Sequence, residues 1–161
     1  MYLSDVTAAP AAVASLGYFA FSITMIAVRL VTDRIVMRVG TVFFVQVVTA
    51  VAVLGFALVF AAPVPAVAII GFAVVGLGVA GIVPIAWSVA GRKQPDSPGR
   101  AIAAVAACGY LGFLVEPVFV GALTKVIGLQ WAVAGAGVLT IAVFFLAPTL
   151  RVRETASPRS R

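Results

Sequence analysis

Few side chains in this sequence are equipped for chemistry, and their positions limit what that chemistry is. Glu116 is a lone carboxylate within the apolar stretch that runs from Arg100 to Lys125. Setting a carboxylate in hydrocarbon costs roughly 3 kcal/mol, so such a group is expected to face a cavity or a partner and to mark a function. Burial favours the neutral form of a carboxyl group in general, which is the property a proton-coupled carrier exploits. Tyr18, Ser22, Trp87, Ser88 and Tyr110 are the other polar or aromatic candidates for a substrate or proton pathway. Tyr18 and Ser22 are four residues apart and share a helical face, as do Gly109, Gly112 and Glu116 over about two turns. Asp33 and Arg34, flanked by Arg29 and Arg38, form a charge cluster after the first apolar run. An aspartate at the end of a membrane span can accept a helix N-terminus or an arginine in one conformer and release it in another, which makes this cluster a candidate conformational switch.

What is missing is equally informative. The sequence contains no histidine, the commonest general base, metal ligand and pH switch. Cys108 is the only cysteine, so neither a disulfide nor a cysteine-based metal site is expected, and the thiol reads as a small packing residue. With no nucleophile paired to a base, an enzyme is not expected, and neither is a cofactor or a metal.

The elements that position these groups follow from composition. Hydrophobic residues make up 63% of the 161 positions and charged residues 10%, against roughly half and a quarter in soluble domains. Mean hydropathy is +1.21. That much apolar surface needs a lipid bilayer as its partner. The net charge of +6 does not point to nucleic acid, because the eleven cations punctuate the ends of apolar runs instead of forming one basic face.

Between Asp5 and Arg29 lie 23 uncharged residues, enough at 1.5 Å per residue to cross a hydrocarbon core of roughly 30 Å. The 53 uncharged residues between Arg38 and Arg92 hold two spans, divided at Pro63 and Pro65. Two more follow, on either side of Lys125. The expectation is an all-α polytopic membrane protein of about five transmembrane helices, at about 8–30, 41–62, 66–91, 101–123 and 130–148. Residues 1–150 then form a helical bundle and 151–161 a basic, disordered cytoplasmic tail.

Alternation places ten of the eleven cations on one side and leaves Lys125 alone on the other. The positive-inside rule puts the N-terminus outside and the C-terminus in the cytoplasm, in a bacterial inner membrane. The stretch from Met1 to Asp5 has no cationic region before the first apolar run, so the sequence reads as part of a longer protein.

The segment Arg29-Leu-Val-Thr-Asp33-Arg34-Ile-Val-Met-Arg38-Val-Gly40 resembles the cytoplasmic loop signature of the major facilitator superfamily, an Asp-Arg pair with further basic residues and a glycine. Gly76-Leu-Gly78-Val-Ala-Gly81-Ile-Val-Pro84, with Trp87 and Ser88, and Gly109-Tyr110-Leu-Gly112-Phe113 before Glu116-Pro117, resemble helices ten and eleven of its fucose-permease-like branch. The resemblance implies the C-terminal portion of that fold, about helices eight to twelve. Gly17-Tyr18 and Phe21 recur as Gly109-Tyr110 and Phe113, as expected of inverted repeats.

A solute path needs polar groups, small residues and broken helices. The first, third and fourth spans meet that description, with Pro84 and Pro117 as kinks and Gly76, Gly78, Gly81, Gly109 and Gly112 as packing positions. The second and fifth spans, which offer only Gln46, Thr49 and Thr140, are expected at the periphery. The expected function is part of a secondary active transporter that moves a small solute by alternating access with possible proton coupling, partnered by the bilayer, its solute and the missing N-terminal half. The alternative is a non-transporting five-span membrane subunit or an inactive transporter fragment.

Overall fold

The computed structural model describes residues 11–62 and 64–150 as a helical bundle, with side chains from Ser15 onward. The elements are α1 (Ala11–Val39), α2 (Thr41–Phe60), α3 (Pro65–Val79), α4 (Ile82–Lys93), α5 (Pro98–Ile127), α6 (Leu129–Leu146) and a closing 3-10 turn (Ala147–Leu150). Among the described residues there is no strand. Five helical segments are long and apolar enough to cross a membrane, α3 and α4 together making one of them. This is a multi-pass membrane fold. The first few residues of the span expected at 8–30 and the tail 151–161 lie outside the described residues.

The structure redraws two boundaries. The stretch from Arg29 to Gly40, expected as a loop, is helical to Val39, because no helix-breaking residue occurs before Gly40. Asp33, Arg34 and Arg38 therefore project from a helix. Gly40 alone joins α1 to α2, with φ 84° and ψ 154°, a region that residues with a Cβ essentially never occupy. Its N–H closes the last turn of α1 on Val36 and its carbonyl opens α2 by accepting from Phe44. Gly128 repeats this between α5 and α6, with φ 85° and ψ 158°, bonded to Thr124 and Ala132. The second change is in the span expected over 66–91 with a kink at Pro84, where the interruption falls at Ala80 and Gly81 and divides the span into α3 and α4.

Two apolar clusters hold opposite ends of the bundle. Phe44, Val45 and Val48 of α2 pack with Ile85 and Val89 of α4 and with Ala147, and Val36 of α1 joins them. Val59 and Ala68 pack at the other end with Phe72, Leu129 and Val133. Lys93 Nζ donates to the Thr149 carbonyl, while Gln130 Nε2 donates to the Phe60 carbonyl at 2.9 Å beside a Phe60–Trp131 edge-to-face pair at 5.5 Å. The 92–100 segment and Lys125 are thus at opposite ends of the bundle.

Within this chain α2, expected at the periphery, is the central element: Phe44, Val45, Val48, Thr49, Ala52, Gly55 and Val59 are all buried. Small residues allow the approach. A Cβ on Gly55 would lie 2.6 Å from the Val75 nitrogen, one on Gly71 would lie 2.9 Å from the Val59 nitrogen, and one on Gly78 would strike the Ala52 backbone. Hydrocarbon satisfies an aliphatic side chain as well as protein does, so helix association in a membrane depends on this closeness. By contrast α5 buries no residue in the described bundle.

Candidate functional site

The break between α3 and α4 has a local cause. Pro84 stands in the first turn of α4 and has no N–H, so it cannot donate to the carbonyl four residues earlier, that of Ala80. In hydrocarbon an orphaned carbonyl has no water to turn to. Arg29 of α1 supplies the missing donor: its Nε lies 3.3 Å from the Ala80 oxygen. Gly81 can pass at this level because a Cβ there would meet the Phe44 ring at 2.7 Å. A second polar tie holds α1 to α3 nearby. The Thr24 hydroxyl is 2.9 Å from the Ala73 carbonyl across the interface and equally close to the Ala20 and Phe21 carbonyls of its own helix.

Beside the break lies a cavity of about 380 Å³. Arg29, Thr32 and Asp33 line it from α1, Val83, Pro84 and Trp87 from α4, and Ala106, Gly109, Tyr110 and Phe113 from α5. Each set keeps helical spacing, so each helix offers one face. Thr32 is 2% exposed and turns its hydroxyl back to the Val28 carbonyl at 2.8 Å. The chemistry on offer is therefore one guanidinium, one carboxylate and three aromatic rings around a space of small-molecule size.

The structure divides the expected site residues. It brings Arg29, Asp33, Pro84, Trp87, Gly109 and Tyr110 to one cavity. Tyr18 and Ser22 stand outside the lining, on the continuation of the Arg29 face of α1, with Tyr18 exposed and Ser22 half-buried. Glu116 also stands outside it, exposed and one turn beyond Phe113 on α5. Ser88 lies beside Trp87, its carbonyl 3.4 Å from Arg92 Nε. All four residues of the switch cluster are exposed, but only Arg29 and Asp33 line the cavity, while Arg34 and Arg38 lie on a different sector of α1.

The small residues divide as well. A Cβ on Gly76 would collide with the Phe21 carbonyl and the Thr24 hydroxyl, and Gly78 and Gly81 are equally confined, whereas Gly109 and Gly112 have nothing within 4 Å. Pro117 lies inside α5 and withdraws the N–H that would serve the carbonyl of Phe113, a cavity residue. Thr32, Val83 and Ala106, which also line the cavity, carry no charge or aromatic ring to mark them in the sequence. Arg29 stands in the sequence as one charge of the switch cluster; the signal that relocates it is Pro84, which designates Ala80 as the carbonyl in need of a donor.

The family model described as Major Facilitator Superfamily matches residues 1–161, the whole length that carries this cavity. The chain belongs to the major facilitator superfamily. Among curated proteins it is 35% identical over 150 residues to the membrane protein MosC of Rhizobium meliloti, covering 90% of this chain and 37% of that protein. It is 30% identical over 151 residues to the uncharacterized transporter y4wD of Sinorhizobium fredii (strain NBRC 101917 / NGR234), covering 94% and 40%. It is 28% identical over 130 residues to an uncharacterized MFS-type transporter of Yersinia pestis, covering 81% and 34%. The chain spans about two fifths or less of the length of these superfamily relatives. No solved structure matches the chain significantly.

Proposed function

We propose that this chain is part of a secondary active transporter that moves a small solute by alternating access, and that the cavity between α1, α4 and α5 is part of the solute path. The chain corresponds to about helices eight to twelve of the superfamily order, in its fucose-permease-like branch, with the cation-rich ends in the cytoplasm. The polypeptide that fills the rest of the relatives' length supplies the opposite wall. The observation that carries this reading is the α3–α4 break, where a proline-freed carbonyl is met by an arginine from a neighbouring span, and both the arginine and the proline line a cavity. Transporters build solute sites from such discontinuous helices.

Alternating access requires the cavity to open in turn to each side. In the full-length protein with Cys108→Ser, Ala106→Cys is expected to react with a membrane-impermeant maleimide in both right-side-out and inverted vesicles. Labelling confined to one vesicle orientation rejects the reading.

Glu116 is the proposed proton-coupling group, placed one turn beyond the cavity on the α5 face that carries Gly109 and Phe113. Glu116→Gln in proteoliposomes is expected to bring solute-driven proton movement down to background while solute exchange continues. Undiminished proton movement removes Glu116 from the mechanism.

A further inference from the structure

We propose that Arg29 makes this cavity a binding site for a small monocarboxylate with a flat apolar body, an inference that rests on the transporter reading and names its solute class. The argument starts from how Arg29 is held. Its Nε is spent on the Ala80 carbonyl at 3.3 Å, and its two terminal amino groups make no hydrogen bond to described residues. A guanidinium held through Nε turns its two terminal amino groups away from that carbonyl as a fork, the geometry that receives a carboxylate. A lysine would supply charge without that orientation.

The other walls narrow the choice. Trp87, Tyr110 and Phe113 offer ring surfaces for a planar apolar body, and Val83 and Ala106 add aliphatic surface. Asp33 is one turn from Arg29 on the same lining face. Its negative charge opposes a second carboxylate, so the cavity discriminates against dianions. A volume of about 380 Å³ suits a single compact molecule.

The test uses the purified full-length protein and radiolabelled benzoate, with benzamide and benzylamine as the neutral and cationic analogues of the same shape. Benzoate is expected to bind saturably and to be displaced by unlabelled benzoate but not by equal benzamide or benzylamine. Arg29→Gln is expected to weaken binding about tenfold or more, the loss of a charge-assisted pair, and Arg29→Lys to fall in between. Glutamine keeps an N–H that can serve Ala80, and the analogue competition on the unaltered protein depends on no variant folding. Absence of saturable benzoate binding, displacement by benzamide or benzylamine as effective as by benzoate, or full affinity in folded Arg29→Gln overturns the proposal. Benzoate uptake by proteoliposomes separates the two readings. Arg29-dependent binding without uptake keeps the carboxylate site and rejects transport through it, whereas uptake undiminished in Arg29→Gln keeps transport and rejects the site.

Discussion

Gly76→Ala is expected to destabilise the bundle by about 1–3 kcal/mol, the usual cost of forcing one extra carbon into a packed interface. The added Cβ would meet the Phe21 carbonyl and the Thr24 hydroxyl of α1. The carbonyl belongs to helix backbone and cannot swing aside, so α1 itself must move away from α3. That shift stretches the Thr24 bond to the Ala73 carbonyl, now 2.9 Å, and disturbs the alignment of Arg29 with Ala80 one and a half turns further along α1. Thermal denaturation of the full-length protein in detergent, followed by the monodisperse fraction, reads the effect. Gly135→Ala in α6, where nothing lies within 4 Å, is the control and is expected to be neutral or slightly stabilising through helix propensity. Equal stability of the two variants would contradict the packing described here.

The second large effect is a coupling between Pro84 and Arg29. Arg29→Met removes the donor from the Ala80 carbonyl and is expected to cost about 1–3 kcal/mol, the penalty for a buried acceptor left unpaired. Pro84→Ala restores an N–H four residues after Ala80, so the same Arg29→Met change in that background is expected to cost under about 0.5 kcal/mol. The cycle therefore predicts a coupling of about 0.5–3 kcal/mol between residues 55 positions apart in sequence. Transport is expected to fall with Pro84→Ala, because a repaired ladder allows α3 and α4 to merge into one straight helix. Additive costs would show that Arg29 and Pro84 act independently.

The number of spans and the segregation of charge were legible because both follow from the solvent: 20 or so apolar residues cross the bilayer, and cations collect at the ends. Which helix forms the core was not legible from aliphatic content. Val45, Val48 and Val59 would suit lipid as well as protein, and only the glycines of the facing helix, Gly71 against Val59 and Gly78 against Ala52, mark where another helix comes close. Of the site, Trp87, Tyr110, Asp33 and Arg29 were nameable from residue type, but their meeting depends on three separate spans. Tyr18, Ser22 and Glu116 have the same chemical credentials and stay outside the cavity lining, since polarity in a span identifies a candidate without giving its height or azimuth. The helical continuation through Asp33 and Arg38 was obscured by charge, which ends the apolar pattern without ending the hydrogen-bond ladder.

The lone glycine connections leave no slack between α1 and α2 or between α5 and α6. A single residue locked near φ 84° or 85° cannot act as a flexible tether, so each helix pair behaves as one stiff arm. Relative movement is then left to the connector after Lys93 and to the seam at Ala80 and Gly81. The bundle's mechanical compliance is thus gathered at that seam, beside the cavity.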